Sequence, residues 1–495
     1  MHCCFFVWEF PHEHFKGGNF LMKLAKRLLA GSLALIMAAA MASCDKGDGD
    51  SSSTANASKL TAKQEEMVKG LMDKLPEIEL ENKTIKWLAH YDINPADGKA
   101  ASPALTLFQK KYGGKIESKV TTYETRYDDL ATAVMSGQSP DFFPADDMDT
   151  FPKGAIKKQF EPIDDYIDYN SELWADTKDI ADQFSINGKH YIAVIQPTPS
   201  YACFYNKTTI EDEGFEQPAD LFEKGEWDWD IFEQMCLDFT NADEDKYALD
   251  GYWYNNAISE SCGVPIITMQ DGKVVQNMSS PEIEKIQSRM YDLQKNEVVF
   301  PRCDNNWNTR GNGENGDGLG SHKTLFIPIG IWAIEEPLKK TALFGDMEAG
   351  EIMFVPMPKN PASDTYYISA RINGYNLCYK APNPEGFAAY MTCVKTASDS
   401  DVSSEIFEEQ LRDEYKWNDE MIAMRKKIYE MTKENPVFDI HDGVSSDLKT
   451  IMNDVNQATM ITGGDSMTWT ECRTSNEGSV KYLIKEANDE LAALK

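Results

Sequence analysis

Between residues 85 and 143 the chain alternates strand and helix signals, and this alternation restricts its fold more than any other feature. Residues 85–89 read as a strand, 104–112 as a helix stopped by Gly113-Gly114, and 116–120 as a second strand. Residues 127–136 read as a helix stopped by Gly137, and 141–143 as a third, short strand. Strand–helix–strand–helix–strand implies a parallel α/β sheet flanked by helices. Ligands of such sheets sit beyond the carboxyl ends of the strands, so the segments after Ala89, Val120 and Phe143 surround one crevice. Further along, 191–195 and 201–205 read as strands, punctuated by Pro197 and Pro199, and 304–320 is an Asn/Gly-rich loop. Residues 60–79, 404–434 and 478–495 read as helices, and no internal repeat is visible. A chain of 495 residues exceeds one compact core and calls for two or more lobes.

The informative start is Met22. Met22-Lys23-Leu24-Ala25-Lys26-Arg27 is followed by an apolar run over 28–41 and then Ala42-Ser43-Cys44. That is a basic n-region, an apolar h-region and a small-residue cleavage site, too short to span a bilayer. A cysteine directly after Ala-Ser resembles the bacterial lipobox, although Met41 stands where Leu is usual. The resemblance implies that 22–43 are a lipoprotein signal peptide and that Cys44 is lipidated. Residues 1–21 fit no targeting pattern and are expected to be an upstream over-annotation. Residues 44–59, rich in Asp, Gly and Ser, are expected to be a flexible tether holding the body beside a membrane.

A formal charge of −32 repels nucleic acid and anionic substrates. Ten cysteines are present, and those of the body (Cys203, Cys236, Cys262, Cys303, Cys378, Cys393 and Cys472) are scattered with no CxxC pair. They read as small buried hydrophobes rather than a disulfide framework. His90, His190, His322 and His441 have no zinc-ligand spacing. Asp304-x-Asn306-x-Asn308 begins like a calcium loop, but Thr309 and Asn315 stand where Gly and Glu are needed. No P-loop, dinucleotide fingerprint or Gly-x-Ser-x-Gly occurs, so no cofactor, metal or catalytic residue is expected.

Four segments carry a family likeness. The first runs from Tyr127-Asp128-Asp129-Leu130 to Ser136-Gly137-Gln138-Ser139-Pro140-Asp141, and the second is Glu161-Pro162-Ile163-Asp164-Asp165. The third is Asn187-Gly188-Lys189-x-Tyr191 with Tyr205-Asn206-Lys207; the fourth is Gly330-Ile331-Trp332 followed by Val355-Pro356-Met357-Pro358. In order and spacing they resemble the family 1 extracellular solute-binding proteins, the sugar receptors of ABC importers. The resemblance covers about residues 84–400. It implies a type II, two-lobed periplasmic-binding-protein-like α/β fold, each lobe a mostly parallel sheet flanked by helices and closing like a hinge. Lobe 1 would hold 60–199 plus about 368–430, and lobe 2 would hold 200–367 plus about 431–495. It further implies a monomer that carries carbohydrate to ABC permease subunits from the outer face of the cell membrane.

A neutral sugar needs flat rings against its C–H faces and planar polar groups for its hydroxyls. The likeness places a ligand-binding carboxylate after the first strand, at Asp92 beside Tyr91, and another after the third, at Asp146 or Asp147. It places a ring under the sugar at Trp332. Trp253 and Tyr254 form an aromatic–amide cluster with Asn255 and Asn256. Trp307 and Arg310 are expected at a rim, Tyr375 on the hinge side, and Trp469 as a late ring completing the pocket. Trp87, Trp227 and Trp229 are expected to be structural. Two rival readings are a surface-anchored glycoside hydrolase, which needs two carboxyls across a cleft, and a surface lipoprotein without a transport role, which predicts repeats.

Overall fold

The structure, a computed structural model, describes residues 60, 62–96, 100–145, 148–301, 318–335, 341–461 and 466–494. Cys44, Asp146, Asp147, Trp307 and Arg310 lie outside the described residues. Among the described residues the strands are β1 (Thr84–Ala89), β2 (Lys115–Val120), β3 (Phe142–Pro144), β4 (Ile192–Pro199), β5 (Ala202–Asn206) and β6 (Tyr247–Leu249). They continue as β7 (Ile267–Gln270), β8 (Lys273–Gln276), β9 (Thr324–Ile329), β10 (Ile352–Val355), β11 (Ile368–Leu377) and β12 (Pro436–Val437).

The first sheet has the order β12-β11-β3-β1-β2, with β4 also on β11. β1 pairs in parallel with β2, from Thr84 opposite Lys115 to Ala89 opposite Val120, and in parallel with β3. Local sequence explains these elements. Ser102 caps the Pro103–Tyr112 helix by accepting the Leu105 N–H at 3.2 Å, Pro103 occupies its first turn, and Gly113 ends it at φ 64°. Trp87, Leu88 and Ala89 of the central strand are fully buried, whereas Ile116 alone is buried in edge strand β2, whose lysines and glutamate discourage further pairing. Asp141 is buried and accepts the backbone N–H groups of Lys86 (2.7 Å) and Asn383 (2.6 Å). It thereby fastens β1 to the cap of the Pro384–Ser398 helix; burial raises its carboxyl above the ordinary range against those two donors.

The second sheet has the order β10-β5-β9-β6. Here the structure differs from the parallel sheet expected. β5 pairs antiparallel with both β10 and β9, and only β6 and β9 are parallel. The reason is topological: β5 enters directly from β4 at the crossing and runs against strands that arrive by helical connections. β4 also runs through Pro197 and Pro199, and the helix expected over 404–434 is two, Asp401–Asp413 and Asp419–Glu434.

The chain passes between the sheets from β4 to β5, from β10 to β11, and through β12 into 439–442. Trp87, Trp227 and Trp229 are buried as expected. Cys203, Cys236, Cys262, Cys378, Cys393 and Cys472 are free and buried, matching the reading of small hydrophobes. No described helix is long and apolar enough to cross a membrane.

Candidate functional site

A cavity of about 310 Å³ opens between the sheets. Its floor is made by the three crossings: Ser200 and Tyr201, then Ser369 to Arg371 of β11, then Asp439, His441 and Asp442. Lobe 1 contributes Tyr123, past the end of β2, and Met148, past the end of β3. These are two of the three strand-end segments expected at the crevice. The other lobe contributes Tyr252, Trp253, Asn256 and Glu260, beyond β6, and Trp332, beyond β9. The ends of parallel strands β6 and β9 thus face those of β2 and β3.

The rings form a corner. Tyr201 and Trp253 stack with centroids 6.5 Å apart and 28° between planes, and Trp253 meets Trp332 edge-on at 5.9 Å and 80°. All three rings are half-buried and line the cavity. Trp332 folds back over Gly330; a Cβ there would lie 2.0 Å from the indole Nε1. The turn is held from behind by Trp417, whose indole N–H donates to the Ile334 carbonyl at 2.9 Å, and by Arg425, paired with Glu335 at 2.8 Å. On the facing wall the Arg126 guanidinium lies 3.6 Å from the Tyr123 centroid and pairs with buried Asp149 at 2.7 Å. His90 meets Tyr123 edge-on, and burial, aided by the Arg126 charge, lowers its pKa to about 4. It supports the ring as a neutral group.

The floor is densely charged. Burial, with the nearby Asp439 charge, raises Glu260 to about 8, and the Ser369 hydroxyl donates to its carboxyl. His441 lies 2.6 Å from Asp439 and 3.3 Å from Asp442. Burial opposes its charge, but Asp439 and Asp442 outweigh burial and raise it to about 9. Asp442 falls below the ordinary range because His441, Lys449 and Lys153 overcome its burial. Both Asp439 oxygens are occupied, by the N–H groups of Ile266, Ile267 and His441 and by the His441 ring. Gly443 lets this segment press on lobe 1, since a Cβ there would lie 2.0 Å from the Phe151 carbonyl oxygen.

Of the residues singled out from sequence, the structure brings Trp253 and Trp332 together in the cleft. Others sit elsewhere. Tyr91 is buried edge-on against Trp87 at 5.5 Å. Exposed Asp92 accepts from Asn94 in its own loop and from Ser118 of β2. Tyr254 is 1% exposed, with its hydroxyl 3.4 Å from the Met460 carbonyl. Tyr375 lies on a strand between β3 and β4, buried against Trp87 and Phe142. Trp469 opens its helix inward, 1% exposed, donating to the Met278 carbonyl at 3.0 Å. Each was placed by its segment, and the segment does not say which side chain turns to the cleft. Tyr123, Tyr201, Glu260, Arg371 and the Asp439–Asp442 group were missed. Tyr123 follows the second strand closely enough for the strand-end rule to find it; the C-terminal group carried no sequence signal.

Residues 104–392 match the family described as bacterial extracellular solute-binding protein. The chain belongs to that family. No curated protein sequence matches this solute-binding protein. Solved structures with the same fold include an ABC substrate-binding protein from Listeria monocytogenes in complex with cycloalternan. Its TM-score is 0.56 at 17% identity, covering 81% of this solute-binding protein and 99% of the other chain. A cyclo/maltodextrin-binding protein complexed with maltotetraose gives 0.55 at 16%, covering 85% and 100%. The galacto-N-biose/lacto-N-biose I-binding protein of Bifidobacterium longum, in complex with lacto-N-biose, gives 0.54 at 14%, covering 82% and 98%. The shared fold is the type II periplasmic-binding-protein-like architecture.

Proposed function

We propose that this protein captures an uncharged sugar or oligosaccharide between two hinged lobes and delivers it to a membrane ABC importer. The observation that carries this reading is the ring corner of Tyr201, Trp253 and Trp332 over a polar floor. Ring faces suit the C–H faces of a pyranose, and the charged groups beneath suit its hydroxyls. The cavity volume lies near the lower end of the range for small-molecule sites. The saccharides held by the Listeria, maltodextrin and Bifidobacterium proteins of the same fold add support. Lobe boundaries at 199/200, 367/368 and about 430 accompany this reading. So does lipidation at Cys44, which anchors the protein outside the cell; mass spectrometry of the mature N-terminus checks the anchor.

Binding is favoured over glycoside cleavage, although Glu260 with its raised pKa stands near Asp439 as an acid near a carboxylate would. Four hydrogen-bond contacts on both Asp439 oxygens tie this carboxylate to the backbone and to His441, the environment of a structural acceptor. A calorimetric screen over mono- and oligosaccharides tests the reading, with chromatography of the recovered sugar. Heat of binding and intact sugar are expected; cleaved sugar would reinstate the hydrolase. Trp332→Ala should weaken the bound saccharide about tenfold, roughly 1.4 kcal/mol, with the chain still folded. Unchanged affinity would remove Trp332 from the site.

A further inference from the structure

One wall of the cleft comes from beyond the family match. The helix Ser446–Gln457 buries Leu448, Met452 and Val455 against its own lobe. At spacings of four, seven and eight from Lys449 it presents Asn453, Asn456 and Gln457 to the cavity. Three amides thus stand on one helical face in the cavity that the rings also line, with Asn256 contributing a fourth from the Tyr254–Glu260 helix. Asn456 is 7% exposed, and its Oδ1 is buried without a hydrogen-bond partner. The Lys449 ammonium is already engaged by Asp442 at 2.8 Å.

We propose that the amide face of the Ser446–Gln457 helix is the specificity wall of this protein, with Asn456 accepting a ligand hydroxyl and the wall selecting neutral polyols over anionic sugars. This rests on the saccharide reading of the cleft. Buried acceptors without donors are costly, and a hydroxyl entering the cleft supplies the donor. At the Asn456 Oδ1 itself, a carboxylate or phosphate oxygen sets acceptor against acceptor, where a hydroxyl donates. The net charge of −32 adds to that rejection. The rings lie within residues 104–392, which match the family model, and this helix lies beyond them.

The test is calorimetry on the full chain with glucose, galactose, mannose, maltose and lactose, and with glucuronate and glucose 6-phosphate as anionic counterparts. Wild type should bind at least one neutral sugar and bind its anionic counterpart more weakly. Asn456→Ala should keep the ligand-free melting temperature, weaken the bound sugar roughly fivefold and change the order of preference among glucose, galactose and mannose. Asn453→Ala, at an exposed position that cannot unfold the helix core, should also change that order. Equal affinities and an unchanged order in both variants would overturn the specificity wall and leave the saccharide reading intact. So would tighter binding of an anionic counterpart by wild type. Binding of no neutral sugar by wild type would remove the saccharide reading and this inference with it.

Discussion

Glu260 and His441 make the cleft floor responsive to pH. An unfolded glutamate loses its proton near 4.5, but Glu260 holds it to about 8. The native state binds the extra proton in that interval, so stability falls as pH rises through it. His441 is raised from 6.5 to about 9, so its contribution is complete below 6.5 and gone above 9. His90 acts oppositely: lowered to about 4, it costs stability as pH falls from 6.5. The melting temperature should therefore decline between pH 6.5 and 9, and Glu260→Gln should flatten the part below 8. A wild-type profile that is level over that interval would refute the assignment. Gly330 is the other decisive residue here. Gly330→Ala puts a methyl where the Trp332 indole lies, and should cost about 1–3 kcal/mol of stability while lowering saccharide affinity. Urea unfolding and titration read the two effects separately. Trp332 could be chosen from the sequence because the family resemblance places a ring in the Gly-x-Trp segment; Tyr254 and Trp469 could not be rejected, because rotation about a helix axis decides whether a ring faces core or cleft.

At the scale of elements, the Asp419–Glu434 helix is a strut. It packs on β4 and β11 of the first sheet and on β10 of the second. It also carries Arg425, held between the Phe407 and Tyr429 rings at 4.7 and 4.1 Å and paired with Glu335. Glu335 ends the turn that displays Trp332, so the helix braces the ring corner from outside the cleft. Arg425→Met leaves the Glu335 carboxylate, 13% exposed, without its cation. About 3 kcal/mol of destabilisation is expected by urea unfolding. A change below about 0.5 kcal/mol would show that the pair behaves as a solvated surface bridge. The helix itself was legible from periodicity, apart from the break at 414–418. Its bracing role was not, because the partners Arg425 and Glu335 are 90 residues apart in sequence.

At the scale of the molecule, three crossings join the sheets and their residues form the cleft floor, so under the proposed closure hinge angle and cleft shape are one variable. A saccharide bridging Tyr123 on one wall and Trp332 on the other favours the closed form only by its preference for that form. Small-angle scattering should show a smaller radius of gyration with the saccharide that binds most tightly. An unchanged radius at saturation would count against closure. The C-terminal segment enters this machinery twice, through Asp439–Asp442 in the floor and through the Ser446–Gln457 helix in a wall.

Local order set much of this protein from sequence alone. Strand and helix periods, the Ser102 cap and the Gly113 stop place β1, β2, β3 and the helices between them, because each signal acts within a few residues. Parallel pairing then fixed the crevice at the strand ends. The direction of β5 and the choice of Tyr123 over Tyr91 were decided by the tertiary structure. So was the gathering of Glu260, Arg371 and His441 on one floor. Those depend on contacts between segments tens to more than a hundred residues apart, and an unfolded chain has no term that couples them.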